Sequence, residues 1–116
     1  MSLTLPLIAL GGAAGSVLRY LMVLAIGAPL GTAAVNLLGS FAIGVMFIFL
    51  GTREGAQLLL MTGLLGGFTT FSAFSLDTLK LVEAGQPLQA AAYVLGTVAL
   101  SLIAVALGVA IARSLT

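Results

Sequence analysis

The chain has 116 residues, of which 61% are hydrophobic and only 6% are charged, with a formal net charge of +1. Because soluble domains contain about 25% charged residues, this composition excludes a soluble globular domain and predicts an integral membrane protein. The absence of cysteine and histidine excludes disulfides and thiolate or imidazole metal sites, and the lack of a basic cluster gives nucleic-acid binding no support.

Span 1 is the first of four predicted transmembrane helices, since each needs roughly 20 residues, and we expect one four-span domain over residues 1–116. It is predicted from Leu3 to Ile26 and lacks the basic start of a cleaved signal peptide, so we expect it to be retained. Gly11 and Gly15 form a small-residue pair that permits close helix approach. Arg19 follows on the same face, where an intramembrane arginine snorkels, pairs with carbonyls or contacts an ion.

Span 2 is predicted from Thr32 to Leu50, after a glycine- and proline-containing turn. Its polar residues Thr32, Asn36 and Ser40 are four residues apart and therefore follow one helix face. A carboxamide buried in lipid must find hydrogen-bond partners. Asn36 is thus interpreted either as an interhelical hydrogen-bonding group or as a pore-lining group.

Span 3 is predicted from Ala56 to Glu83, which is too long for one straight crossing. Its centre carries the motif GGFTTFSAFS at residues 66–75. Glycines in a helix interior each cost about 1 kcal/mol, and consecutive threonines have restricted side chains. We therefore predict two half-helices, Ala56–Leu65 and Phe71–Val82, with backbone carbonyls freed between them. Interrupted helices of this kind form ion sites in many transport proteins.

The end of span 3 carries Asp77, Lys80 and Glu83, which are expected to pair locally and to face water. Loop charges are few, with Arg53 and Arg113 on the side of the termini. The resulting positive-inside bias is slight. A slight bias permits insertion in both orientations.

Span 4 is predicted from Leu88 to Ile111 and carries Tyr93, Thr97 and Ser101 at four-residue spacing. Hydroxyls in transmembrane helices often bond their own preceding carbonyls, so this series is interpreted either as local bonding or as pore lining.

The polar groups within the spans are nearly all neutral, and the only mid-span charge, on Arg19, is positive. A cation pathway or proton relay normally needs buried carboxylates, so the inventory favours an anion. Phe71 and Phe74 share a helix face and either present their positive ring edges to that anion or simply pack. No pairing of a base with a nucleophile supports an enzyme.

The dense glycines indicate oligomerisation, and a dimer is the smallest closed assembly. Two broken third spans can then cross, and their carbonyl oxygens suit a hard cation such as Na⁺.

These features together resemble the bacterial fluoride channels, the Fluc or CrcB family. The segments that carry the resemblance follow the family's order and spacing: GGFTTFSAF at residues 66–74, GGAAGSVLRY at residues 11–20, Gly31-Thr32 with Asn36 and Gly39-Ser40-Phe41, and the series Tyr93, Thr97 and Ser101.

The resemblance implies an all-α, dual-topology, antiparallel homodimer in the bacterial inner membrane, with the third helix broken mid-membrane. It implies passive, fluoride-selective export that protects the cell from fluoride toxicity. It also implies a structural Na⁺ at the dimer centre, bound by the backbone carbonyls of Gly66 and Thr69.

The pore residues implied by the resemblance come from spans 2, 3 and 4. They are Asn36, Phe71, Phe74, Tyr93, Thr97 and Ser101, with Thr32 and Ser75 as weaker correspondences. The family often has threonine at the position of Ala73 and glutamate at that of Asp77.

The alternative function is a small dual-topology multidrug or cation antiporter, which needs a carboxylate in its first span. Span 1 has Arg19 and no acidic residue, which disfavours this alternative. The other alternative is a purely structural membrane subunit, in which the glycines serve packing only.

Overall fold

The computed structural model describes residues 2–116, and within them all regular structure is helical. Its four membrane-length helices are span 1 (Thr4–Ile26), span 2 (Leu30–Phe49), span 3 (Glu54–Glu83) and span 4 (Pro87–Ser114). The predicted all-α, four-span fold is therefore confirmed. That residues 1–116 form one domain stays a prediction, and Met1 lies outside the described residues.

Short turns join the spans into a body that measures 48 × 32 × 22 Å. Gly27 (φ 89°) and Gly85 (φ 77°) adopt the left-handed backbone region at two of these turns. A side chain would be strained there, so glycine permits the sharp reversal. The long dimension matches a bilayer with its headgroups, about 40–45 Å.

Glycines allow the two closest helix pairs to form: span 1 packs along the first half of span 3, and span 2 packs along span 4. A Cβ at Gly15 would overlap the carbonyl oxygen of Leu64, and a Cβ at Gly44 would overlap that of Val105. The close approach predicted at Gly11 and Gly15 is confirmed, and its partner is span 3.

Span 3 is broken, as predicted, but over three residues (69–71) rather than over the five (66–70) that separate the two predicted half-helices. Its first half comprises Glu54–Ala56, a π-helical stretch Gln57–Leu65 and a last turn Gly66–Phe68, and its second half is Ser72–Glu83. The backbone leaves the helix at Thr69, which is extended (φ −87°, ψ 156°).

The break is predicted from the glycine pair and the consecutive threonines, and the glycine part of that prediction is wrong. Gly66 is helical (φ −61°, ψ −38°). A Cβ at Gly67 would lie 2.6 Å from the carbonyl oxygen of Gly12 and 3.1 Å from the amide nitrogen of Ser16. Gly67 therefore serves packing against span 1, and the backbone leaves the helix at the threonine that follows Phe68.

Candidate functional site

Asn36 holds the break from the side of span 2. Its Nδ2 donates to the Thr70 carbonyl at 2.9 Å, and the Thr70 amide donates to its Oδ1 at 2.8 Å. The carboxamide thereby replaces both backbone hydrogen bonds that Thr70 loses outside the helix. The interhelical interpretation of Asn36 is confirmed, and a second Nδ2 hydrogen remains for another acceptor.

Arg19 holds the break from the side of span 1, where its Nε donates to the Gly67 carbonyl at 2.9 Å. Of the alternatives that the sequence left open for this arginine, the structure shows carbonyl pairing.

The two threonine hydroxyls bond backbone groups of the half-helices on either side of the break. Thr69 Oγ1 donates to the Leu65 carbonyl at 2.9 Å, inside the last turn of the first half. Thr70 Oγ1 accepts a hydrogen bond from the Ala73 amide at 3.1 Å, at the start of the second half. The Thr70 hydroxyl therefore satisfies an amide at the start of the second half, whereas the Thr69 hydroxyl adds a second hydrogen bond to a carbonyl that the Thr69 amide already bonds.

The carbonyl oxygens of Gly66 and Thr69 receive no hydrogen bond from any residue in the range 2–116. Unpaired neutral oxygens at membrane depth are chemically suited to a hard monovalent cation. The same described residues contain no cluster of acidic side chains that could hold a metal. The donor set thus fits Na⁺ bound by carbonyls alone.

An open-sided cavity of about 420 Å³ lies beside the break, between spans 2, 3 and 4. Predicted site residues that line it are Asn36, Gly66, Thr69, Phe71, Phe74, Thr97 and Ser101. Ser40 and Thr70 also line it, although the resemblance does not include them among the pore residues. Ser40 follows Asn36 by four residues, and this spacing was the available signal.

The two phenylalanines present different surfaces to the cavity. Phe71 is 77% exposed, whereas Phe74 is 5% exposed. Their ring centroids lie 5.7 Å apart with the planes tilted by 56°. The ring of Phe71 is therefore accessible from outside the subunit, and the buried ring of Phe74 packs against it.

Ser101 brings an unsatisfied polar group to the cavity wall. Its Oγ is buried and has no hydrogen-bond partner among the described residues. A buried hydroxyl without a partner is costly, so this oxygen favours any partner that reaches it.

Three predicted pore residues lie away from the cavity. Tyr93 packs its ring on Phe74 at 5.1 Å and donates its hydroxyl to Asp77 Oδ2 at 3.3 Å. Thr32 is buried. Ser75 is exposed and donates to the Phe71 carbonyl at 2.9 Å.

The expectation that Asp77 faces water is wrong. The residue is 8% exposed, and it borders a cavity of about 260 Å³ under the turn at Ala28 and Pro29. The Tyr93 hydroxyl draws the carboxylate inward, whereas Lys80 stays exposed. Asp77 is thus an acidic group inside the protein that the spacing of charges did not reveal.

The sequence matches the protein family described as "CrcB-like protein, Camphor Resistance (CrcB)" over residues 6–109. It is 48% identical to the fluoride-specific ion channel FluC of Rhizobium etli (strain CIAT 652), covering 94% of this chain and 95% of the relative. It is 50% identical to FluC of Paracoccus denitrificans (strain Pd 1222), covering 93% of each chain. FluC of Agrobacterium fabrum is 43% identical, with 97% of this chain and 98% of the relative covered.

Proposed function

The chain belongs to the CrcB-like protein family, and we propose that it is a fluoride-selective ion channel of the bacterial plasma membrane. It releases F− passively down its gradient and so protects the cell from fluoride toxicity. The relatives are named as ion channels, which points to transport rather than catalysis.

The observation that carries the proposal is the chemistry of the cavity at the break. Its polar lining consists of neutral groups that can donate hydrogen bonds, and no carboxylate lines it among the described residues. Fluoride is small and strongly hydrated, so a conducting site must replace its water with donors. The spare Nδ2 hydrogen of Asn36 and the hydroxyls of Thr97 and Ser101 supply such donors without a competing negative charge.

The polarity of the broken helix supports two ions of opposite charge. The second half of span 3, Ser72–Glu83, starts beside the cavity, and a helix N-terminus carries partial positive charge. The first half ends at the unpaired carbonyls of Gly66 and Thr69, where the partial charge is negative. An anion is therefore favoured at the start of the second half, and a cation is favoured at the end of the first half.

We infer further that two copies assemble as an antiparallel homodimer around a structural Na⁺. The unpaired Gly66 and Thr69 oxygens would hold the ion, whose charge offsets the carbonyl dipoles. The open side of the cavity and the exposed Phe71 ring give a second copy a surface to cover. Two cavities related by symmetry then give two fluoride paths.

Fluoride release from liposomes tests the function. Vesicles containing the purified protein and loaded with sodium fluoride should release fluoride far faster than empty vesicles, as read by an external fluoride electrode. Release at the empty-vesicle rate would reject the channel. Replacement of all Na⁺ by K⁺ should lower release if the cation site is required, and equal release would reject that part alone.

Asp77 is the one observation that favours the antiporter alternative, because a buried carboxylate can carry a proton. It lies outside the residues lining the larger cavity, beside Tyr93. We expect no uptake of a cationic dye into protein liposomes under an imposed proton gradient. Gradient-driven uptake that Asp77→Asn abolishes would favour the antiporter.

A further inference from the structure

Arg19 lies on the face of span 1 that contacts span 3, in line with Gly11 and Gly15. It is half-buried, and it uses Nε, the nitrogen nearest the backbone, to bond the Gly67 carbonyl. The remaining guanidinium N–H groups have no acceptor within residues 2–116. The hydrogen bond therefore uses only the guanidinium nitrogen that is nearest to the backbone.

The Gly67 carbonyl needs a partner because of the break. In a continuous helix it would accept from the amide of Phe71, but the helix ends before that residue. Gly67 also lies directly against Gly12 and Ser16 of span 1. Arg19, two turns after Gly12, reaches the orphaned oxygen from the same helix.

The hydrogen bond distinguishes Gly67 from its neighbours at the break. Arg19 occupies the carbonyl of Gly67, while those of Gly66 and Thr69 stay unpaired among the described residues. Arg19 thus removes the Gly67 oxygen from those that stay unpaired at the break. It also ties the last turn of the first half to span 1.

We propose that Arg19 is a positioning residue that fixes the break of span 3 through the Nε–Gly67 hydrogen bond, and not through its charge. The inference deepens the proposed channel function, on which its transport readout rests. The hydrogen bond and the charge can be separated because glutamine carries Nε2 the same number of bonds from Cα as arginine carries Nε. Arg19→Gln thus keeps the donor and loses the charge.

Four variants separate the contributions. Arg19→Gln keeps the donor, Arg19→Lys keeps the charge with its nitrogen one bond further out, and Arg19→Met removes both. Arg113→Gln is the matched control, since Arg113 is exposed in the last turn of span 4. All four proteins are compared as monodisperse samples in detergent and in liposomes.

The first readout is amide hydrogen exchange of residues 66–75, which does not depend on transport. We expect exchange in Arg19→Met to be faster by about tenfold, because one part-buried hydrogen bond is lost. Arg19→Gln and the control should match the wild type. Equal exchange in Arg19→Met and wild type would overturn the proposal.

The second readout is fluoride release. Arg19→Gln should stay within about threefold of wild type and should exceed Arg19→Lys, whereas Arg19→Met should lose about tenfold. Lysine supporting more release than glutamine would overturn the proposal in favour of the charge. If Arg19→Met fails to fold, the glutamine–lysine comparison still decides. A wild type that releases no fluoride would reject the channel, while hydrogen exchange still tests Arg19.

Discussion

Substitution of Asn36 by aspartate is expected to lower fluoride flux by at least about a thousandfold. The aspartate keeps an acceptor for the Thr70 amide, but it presents a second oxygen where Nδ2 now donates to the Thr70 carbonyl at 2.9 Å. The unsatisfied carbonyl costs about 1–3 kcal/mol. A carboxylate about 4 Å from a passing anion adds about 4 kcal/mol of repulsion at an effective dielectric constant of about 20. Each 1.4 kcal/mol corresponds to about tenfold.

Fluoride release from liposomes measures this effect, and two further variants separate its causes. Asn36→Ala removes both hydrogen bonds without adding charge, so we expect a loss of only about tenfold to a hundredfold. Gln57→Glu makes the same amide-to-carboxylate change at a side chain that donates to the Gly51 carbonyl in a loop, and it should leave flux unchanged. Flux through Asn36→Asp within twofold of wild type would refute the reasoning. Equal losses of flux in the aspartate and alanine variants would show that charge repulsion does not contribute.

Two further predictions concern packing and the buried carboxylate. Gly15→Ala should destabilise the protein by about 1–3 kcal/mol, because the new Cβ overlaps the Leu64 carbonyl, whereas at Gly12 the nearest atom is 3.9 Å away. Thermal unfolding in detergent checks this, and equal midpoints for Gly15→Ala and Gly12→Ala would contradict it. Asp77→Asn and Tyr93→Phe should be non-additive in unfolding free energy by about 1 kcal/mol, since the two side chains share one hydrogen bond. Strictly additive losses would show that this contact contributes nothing.

The number of spans, their approximate bounds and the broken third span could be predicted from the sequence, because hydrophobic length and composition determine them directly. The role of the two glycines in that break could not. Gly66 and Gly67 are both helical, and Gly67 serves packing against span 1, while Thr69 leaves the helix. Whether a glycine breaks a helix or admits a neighbour depends on what packs against it, and a single sequence does not contain that information.

The four-residue polar series of spans 2 and 4 predicted only part of the cavity lining, and the reason is geometric. A helix has about 3.6 residues per turn, so each four-residue step rotates by about 40°. In span 4, Thr97 and Ser101 reach the cavity, whereas Tyr93 is rotated away toward Asp77. Span 2 behaves in the same way, since Asn36 and Ser40 line the cavity and Thr32 does not.

The carbonyl partners of Arg19 and Asn36 were the part of the site that spacing did not provide. Both side chains bond residues of span 3 that are far away in the sequence, at Gly67 and Thr70. The hydrophobic pattern shows that such polar groups need partners, but only the packing of three helices around the break identifies them. The π-helical stretch Gln57–Leu65 had no sequence signal either.

Current through planar bilayers containing the purified protein tests the central claim most directly. With fluoride at unequal concentrations on the two sides and chloride in excess, the reversal potential should follow the fluoride gradient. The current should vanish when chloride replaces all the fluoride. A reversal potential that follows the chloride gradient, or no current in fluoride, would contradict a fluoride-selective channel.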